Sequence, residues 1–242
     1  MIVSNSNRVI DFFTDSSCDL TPSPVRHAAH VLYVPVSHDP EVTRCCDSIL
    51  SPTERQRADR FVTQADQTVF KQRRAFRRFC GAVALESSEP LSEIVFNETD
   101  YGRPYLPGLS DFWFSFSSCR FGYVGAWSST HGVGVDLEDR TRKLEAKELA
   151  RQFFSAAEAK TVEELGNMKS RRAFFQLWSL KEAALKSIGQ GLPFGLDAFQ
   201  FELDPDPRVV HSPPGYGGLE RYATHMIEGT DSCTAVVTRS LS

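Results

Sequence analysis

An α+β fold is what this sequence predicts, and three observations carry it. Apolar residues recur with helical spacing over 64–85 and 170–188, whereas the runs near 93–97, 104–106, 112–117 and 121–127 have strand character. Helices and strands are mixed without strict β-α-β alternation, which argues against a parallel doubly wound sheet. The 242 residues are 41% apolar and 24% charged, enough for one large domain or two of about 110–120 residues each. Two subdomains suit the pattern better.

The elements can be justified in order. Residues 1–29, frequent in Asn, Ser, Asp and Pro, read as a loosely ordered extension before a strand over 30–36. Ser51, Pro52 and Glu54 form a helix start: a serine cap, a proline in the first turn and a glutamate three residues after the cap. In the helix over 64–85, Phe76, Phe79, Cys80 and Val83 share one face and leave Arg73, Arg74 and Arg77 outward. Gly132 opens a second half. Ser155 and Glu158 make another capping box, and the helix over 170–188 is stopped by Gly189 and Gly191. Strands near 198–203, 219–227 and 233–238, separated by Pro- and Gly-rich turns, complete the chain.

Composition excludes several classes. A net charge of −4 argues against a general nucleic-acid binder, although 71–78 is strongly basic. The six cysteines show no zinc-like spacing, and Cys80 and Cys233 read as small buried hydrophobes, so a reduced, cytoplasmic setting is expected. No apolar run is long enough to span a membrane and the amino terminus lacks a secretory pattern.

Two segments carry chemistry. In Gly132-Val133-Gly134-Val135-Asp136-Leu137-Glu138 the period of two puts Asp136 and Glu138 on one strand face. In Trp178-Ser179-Leu180-Lys181-Glu182-Ala183-Ala184-Leu185-Lys186 the helical period puts Trp178, Glu182 and Lys186 on one face. Taken singly, the first fits a solvated edge strand and the second a surface ion pair. If strand and helix meet, three carboxylates and one ammonium converge, an inventory suited to a hard divalent cation and a phosphate ester.

Together these segments resemble the 4′-phosphopantetheinyl transferase superfamily, in its larger, pseudo-dimeric, surfactin-synthetase-activating type, which serves peptide, polyketide and fatty-acid synthases. Upstream, Tyr101-Gly102-Arg103-Pro104-Tyr105-Leu106 is similar to the family's G-K/R-P-x-L element, and the region from Leu50 through Phe79 to its amino-terminal helices. Phe114-Ser115-Phe116-Ser117-Ser118-Cys119 stands where the family reads F-N-x-S-H-S. Only Phe114 and Ser117 agree there, and Ser118 lacks the positive charge an imidazole can carry.

The resemblance implies two similar α+β subdomains in a pseudo-twofold arrangement with the active site at their interface. Its expected divisions are an extension over 1–29, a coenzyme A-binding subdomain over 30–129 and a metal-bearing subdomain over 130–242. The implied reaction moves 4′-phosphopantetheine from coenzyme A to a serine of an acyl, peptidyl or polyketide carrier protein, releasing adenosine 3′,5′-bisphosphate. Asp136, Glu138 and Glu182 would hold Mg²⁺, and Glu182 and Lys186 would be catalytic. Arg57, Arg74, Arg103, Ser115, Ser117 and Ser118 would bind coenzyme A. A carrier would dock near Phe153, Phe154, Leu165 and Met168 with Lys169, Arg171 and Arg172, and the chain would be a monomer. A homologue that binds these partners without efficient transfer, a magnesium phosphohydrolase and a nucleic-acid module are the competing readings.

Overall fold

The computed structural model describes residues 5–16, 18–19, 28–109 and 111–241. Its order begins with α1 (Asn5–Ser16), β1 (Cys18–Asp19), β2 (His30–Pro35), α2 (Pro40–Ser48), α3 (Pro52–Ala58) and α4 (Gln64–Ala84). Then come β3 (Asn97–Glu98), β4 (Pro104–Tyr105), β5 (Trp113–Cys119), β6 (Gly122–Ser128) and β7 (His131–Asp139). The chain closes with α5 (Ala146–Phe153), α6 (Ala156–Glu164), α7 (Asn167–Ser187), β8 (Gln200–Glu202), β9 (Arg208–His211), β10 (Tyr222–Glu228) and β11 (Ser232–Ser240).

The fold is α+β, and its two halves repeat one plan. In the first, β6 lies between β2 and β5, with β1 added at the β2 edge; in the second, β11 lies between β7 and β10. All these pairings are antiparallel. Each half places three helices after its first strand and a two-stranded ribbon, β3–β4 or β8–β9, after its long helix. Both long helices have 21 residues.

The repeat extends to side chains. Ser51 and Glu54 form a reciprocal capping box on α3, and Ser155 and Glu158 do the same on α6, satisfying amide groups that a helix start leaves open. In each half the box carboxylate takes a cation from the long helix: Glu54 pairs with Arg78 at 2.8 Å and Glu158 with Lys181 at 2.8 Å. Arg78 and Lys181 occupy equivalent positions, each the fifteenth residue of its helix.

Helices α4 and α7 cover the outer faces of the two sheets, as with Phe76 beside Tyr123 at 5.9 Å between ring centres. Between the sheets Val31, Val124, Ala126, Val133, Val135, Leu137 and Val236 form a dry seam. This layering explains why β6 is buried along its whole length.

Several sequence expectations change. Residues 5–16 are not loose: α1 buries Val9 and Phe13, with the Phe13 ring 5.3 Å from Phe79, so part of the extension completes the first core; residues 1–4, 17 and 20–27 lie outside the described residues. The strand expected near 93–97 is a 3₁₀ turn at Leu91–Glu93 and only the short β3. Helices α2 and α5 and strand β9 were not foreseen, and α7 begins at Asn167 instead of 170. Arg74 and Arg77 are only 20% and 21% exposed, because α3, Glu98 and Phe116 close over that face of α4. Phe154 belongs to the second core, stacked 5.4 Å from Phe174, whereas Met168 is exposed.

Candidate active site

Strand β7 and helix α7 meet because two glycines let them. A Cβ on Gly134 would lie 1.8 Å from the Ala183 carbonyl oxygen, and one on Gly132 would lie 2.3 Å from that of Ser187. These glycines share a strand face with Asp136 and Glu138, so the face that admits the helix backbone also delivers both carboxylates to it. The opposite face, with Val133, Val135 and Leu137, fills the seam between sheets.

The result gathers the four residues the sequence singled out. Ligand oxygens of Asp136, Glu138 and Glu182 lie within 4.8 Å of one another. Lys186 Nζ donates to Asp136 Oδ1 at 2.8 Å and to the Val135 carbonyl at 3.1 Å, and it lies 3.4 Å from Glu182 Oε2. Trp178 Nε1 donates to Glu182 Oε1 at 3.0 Å, fixing that rotamer. Arg142 stands 3.3 Å from Glu138. The expected i, i+4 ion pair therefore exists, but inside a five-membered charge cluster.

Burial and crowding both act on these charges. Burial, then the Asp136 charge, pushes the Glu138 carboxyl up to about 7. Burial and then Asp136 also raise Glu182, opposed by Lys186. Burial alone would lower the Lys186 ammonium, but Asp136 and then Glu182 outweigh it and hold the group above its ordinary value. Asp136 Oδ2 is buried without a hydrogen-bond partner. Three carboxylates against one lysine and one arginine, with an orphaned oxygen among them, fit a divalent cation on oxygen ligands.

Strand β5 meets β7 through serines. Ser115 Oγ accepts from the Val135 amide at 3.0 Å, and Ser117 Oγ donates to Asp136 Oδ1 at 3.0 Å. Both thus hold β7, the strand of Asp136 and Glu138, and Ser115 also lines the cleft described next. Ser118 lies on the other face of β5, with Phe114 and Phe116.

A cleft of about 160 Å³ opens between the halves beside Lys186, with Arg77, Arg103, Ser115, Phe116 and Gln190 in its walls. The Arg103 guanidinium carbon lies 4.3 Å from the centre of the Trp113 ring, with a buried Nη1 that has no hydrogen-bond partner. Arg57 and Arg74 are further back, 5.7 and 5.3 Å from the Phe70 ring, and Arg74 also faces Glu54 at 3.6 Å. Arg57 borders a surface groove with Arg60 and Phe61. The sequence missed Arg77 as a cleft residue. Its only local signal was its absence from the apolar face of α4, since the contact with β5 depends on packing.

Comparison with known proteins shows the family. The family model of the 4′-phosphopantetheinyl transferase superfamily matches residues 132–228, a span that holds β7, the three following helices and the cluster. The 4′-phosphopantetheinyl transferase Sfp of Bacillus subtilis (strain 168) is 30% identical over 168 residues, covering 67% of this chain and 70% of that protein. The 4′-phosphopantetheinyl transferase HetI of Nostoc sp. is 25% identical over 214 residues, covering 86% of each. Among solved structures, a holo-(acyl-carrier-protein) synthase from Bacillus anthracis in complex with CoA (3′,5′-ADP) aligns with 47% of this chain and 99% of its own at 15% identity, with a TM-score of 0.36. The chain belongs to the 4′-phosphopantetheinyl transferase superfamily, in its larger Sfp-like type. It is accordingly a transferase of the phosphopantetheinyl group.

Proposed function

We propose that this enzyme transfers 4′-phosphopantetheine from coenzyme A to a serine of a carrier protein in a magnesium-dependent reaction that releases adenosine 3′,5′-bisphosphate. The observation that carries the reading is the convergence of Asp136, Glu138 and Glu182, with the partnerless Asp136 Oδ2, beside a cation-lined cleft. Residues 30–129 provide the coenzyme side, and residues 130–242 the carboxylates and the catalytic helix.

Asp136, Glu138 and Glu182 would hold Mg²⁺, which when bound neutralises charge on the coenzyme's pyrophosphate. The serine oxygen forms a bond to the phosphorus that bears pantetheine. The bond from that phosphorus to the adenosine-side phosphate oxygen breaks, and the bisphosphate leaves with the electron pair. Glu182, raised in basicity and fixed by Trp178, accepts the serine proton. Lys186 stays protonated at neutral pH and donates to the phosphate, offsetting charge as the bisphosphate departs. Ser117 holds Asp136, and Arg103 supplies a planar guanidinium to coenzyme phosphate.

No described helix is long and apolar enough to cross a membrane. The proposal includes action in the cytoplasm, as a monomer, on acyl, peptidyl or polyketide carriers. The test is incubation with coenzyme A, Mg²⁺ and an apo carrier, followed by mass spectrometry. Gain of one phosphopantetheine on the carrier serine is expected. Binding of both partners without that gain would favour the non-catalytic alternative, for which Ser115 and Ser118 are the motive.

A further inference from the structure

Arg142 is the one charged member of the carboxylate cluster that lies on neither β7 nor α7. It belongs to the turn that leaves β7, and the backbone of that turn is held from three sides. From the first half, Arg120 pairs with Asp139 at 2.9 Å and donates to Thr141 Oγ1. Arg140 pairs with Glu228 and donates to the carbonyls of Gly229 and Thr230, in the turn between β10 and β11. From α7, Arg171 donates to the carbonyls of Arg140 and Arg142. Each of these three guanidiniums has several partners, and together they fix the path of the chain just beyond Glu138.

The Arg142 side chain is placed differently. Among the described residues its ion-pair partner is Glu138 alone, at 3.3 Å, and it is 51% exposed while the Glu138 side chain is 11% exposed. The pair thus has one anchored end and one solvated end. Lys186, the other cation of the cluster, is tied to Asp136, the Val135 carbonyl and Glu182 at once. Of the two cations, Arg142 is therefore the one that can leave, since a half-exposed ion pair contributes little and a released guanidinium regains water. A divalent ion on Asp136, Glu138 and Glu182 would share the Glu138 carboxylate with this guanidinium and meet it as a like charge.

We propose that Arg142 is a placeholder cation: it neutralises Glu138 when no ion is bound, competes with the divalent ion for that carboxylate and so sets the ion's affinity. This rests on the reading of the three carboxylates as the ion's ligands. A guanidinium that instead oriented Glu138 for the ion would act with the opposite sign, so removing Arg142 separates the two roles.

The test is titration of Mn²⁺, an ion suited to oxygen ligands, into the full chain without coenzyme A or carrier, with free Mn²⁺ read by electron paramagnetic resonance. Arg142→Ala should bind Mn²⁺ about two- to fivefold more tightly than wild type, the size of a half-exposed ion pair that no longer has to be broken. Arg142→Lys, which keeps the charge, should stay within about twofold of wild type. In the ion-free chain Arg142→Ala should melt below wild type, and saturating Mg²⁺ should close the gap, because an ion held more tightly by the folded chain stabilises it more.

Equal or weaker Mn²⁺ binding by Arg142→Ala would overturn the proposal, as would a melting deficit that saturating Mg²⁺ leaves unchanged. The two readings fail separately. Equal binding by wild type and Arg142→Ala refutes the placeholder and keeps the ion site, whereas binding by neither refutes both. Tighter binding by Arg142→Ala in a chain that modifies no carrier supports the role of Arg142 and refutes transfer.

Discussion

The two halves share strand order, helix count and a carboxylate-locked capping box, yet one carries the carboxylate cluster and the other a surplus of guanidinium. At the fifteenth residue of the long helix they agree, with Arg78 and Lys181 each bonded to the capping glutamate. One and five residues later they diverge: Phe79 and Val83 stand where the second half has Glu182 and Lys186. Strand β2 likewise has no acid, whereas β7 has Asp136 and Glu138. A duplicated frame thus supplies position, and a few substitutions on one copy supply chemistry. The second half has three carboxylates against one lysine and one arginine, a surplus that fits a cation. The first half has the opposite surplus, Arg73, Arg74, Arg77 and Arg78 against Glu54 and Glu98, which fits an anion.

The shared lock can be broken first. Glu158→Gln should destabilise by about 3–5 kcal/mol, the cost of leaving a buried charge unpaired, since Lys181 is fully buried and Glu158 is 4% exposed. Glu54→Gln in the equivalent lock should cost less, about 1–3 kcal/mol, because Glu54 is 18% exposed. Urea unfolding of both variants decides, and equal losses would end the claim that the second lock is the deeper.

The divergent positions come next. Asp136→Asn should lower turnover by about a hundredfold while the melting temperature holds, as expected when a charged ligand becomes a neutral one. Near-normal transfer would remove Asp136 from the site. Lys186→Ala should lower turnover by at least about tenfold, while Val83→Ala at the matching position of the first half, already exposed, should leave transfer within about twofold. Similar effects at both would show that position and not charge is at stake.

The smallest effect is on pH dependence. With its folded value raised to about 7, Glu138 binds its proton more tightly in the folded chain than in the unfolded one. Its contribution therefore falls as pH rises from the ordinary carboxylate range towards 7, and the metal-free protein should lose stability over that window. Glu138→Gln should flatten the slope, and added Mg²⁺ should reverse it. A pH-independent melting point in the metal-free chain would contradict the crowding.

Much of this was written locally. The capping boxes at Ser51 and Ser155, the long helices, the Gly-x-Gly-x-Asp-x-Glu strand and the Glu182–Lys186 pair were legible because each depends on spacings of two to four residues. Short α2 and α5, of 9 and 8 residues, were not, since little more than two helical turns carry too little periodicity.

What only the tertiary structure decided depends on surfaces brought together from distant segments. The repeat between halves resides in backbone plan and in the Glu54–Arg78 and Glu158–Lys181 locks, so it is nearly silent in residue identity. Ser115 and Ser117 became struts for β7, and Arg77 became a cleft wall, because β5 packs on α4 with one face and on β7 with the other. The sequence by itself determined which residues have the chemistry to hold a cation and bind phosphate. Packing decided which of them share a site, because burial and distance set the energy of a charge and neither is a property of the chain before it folds.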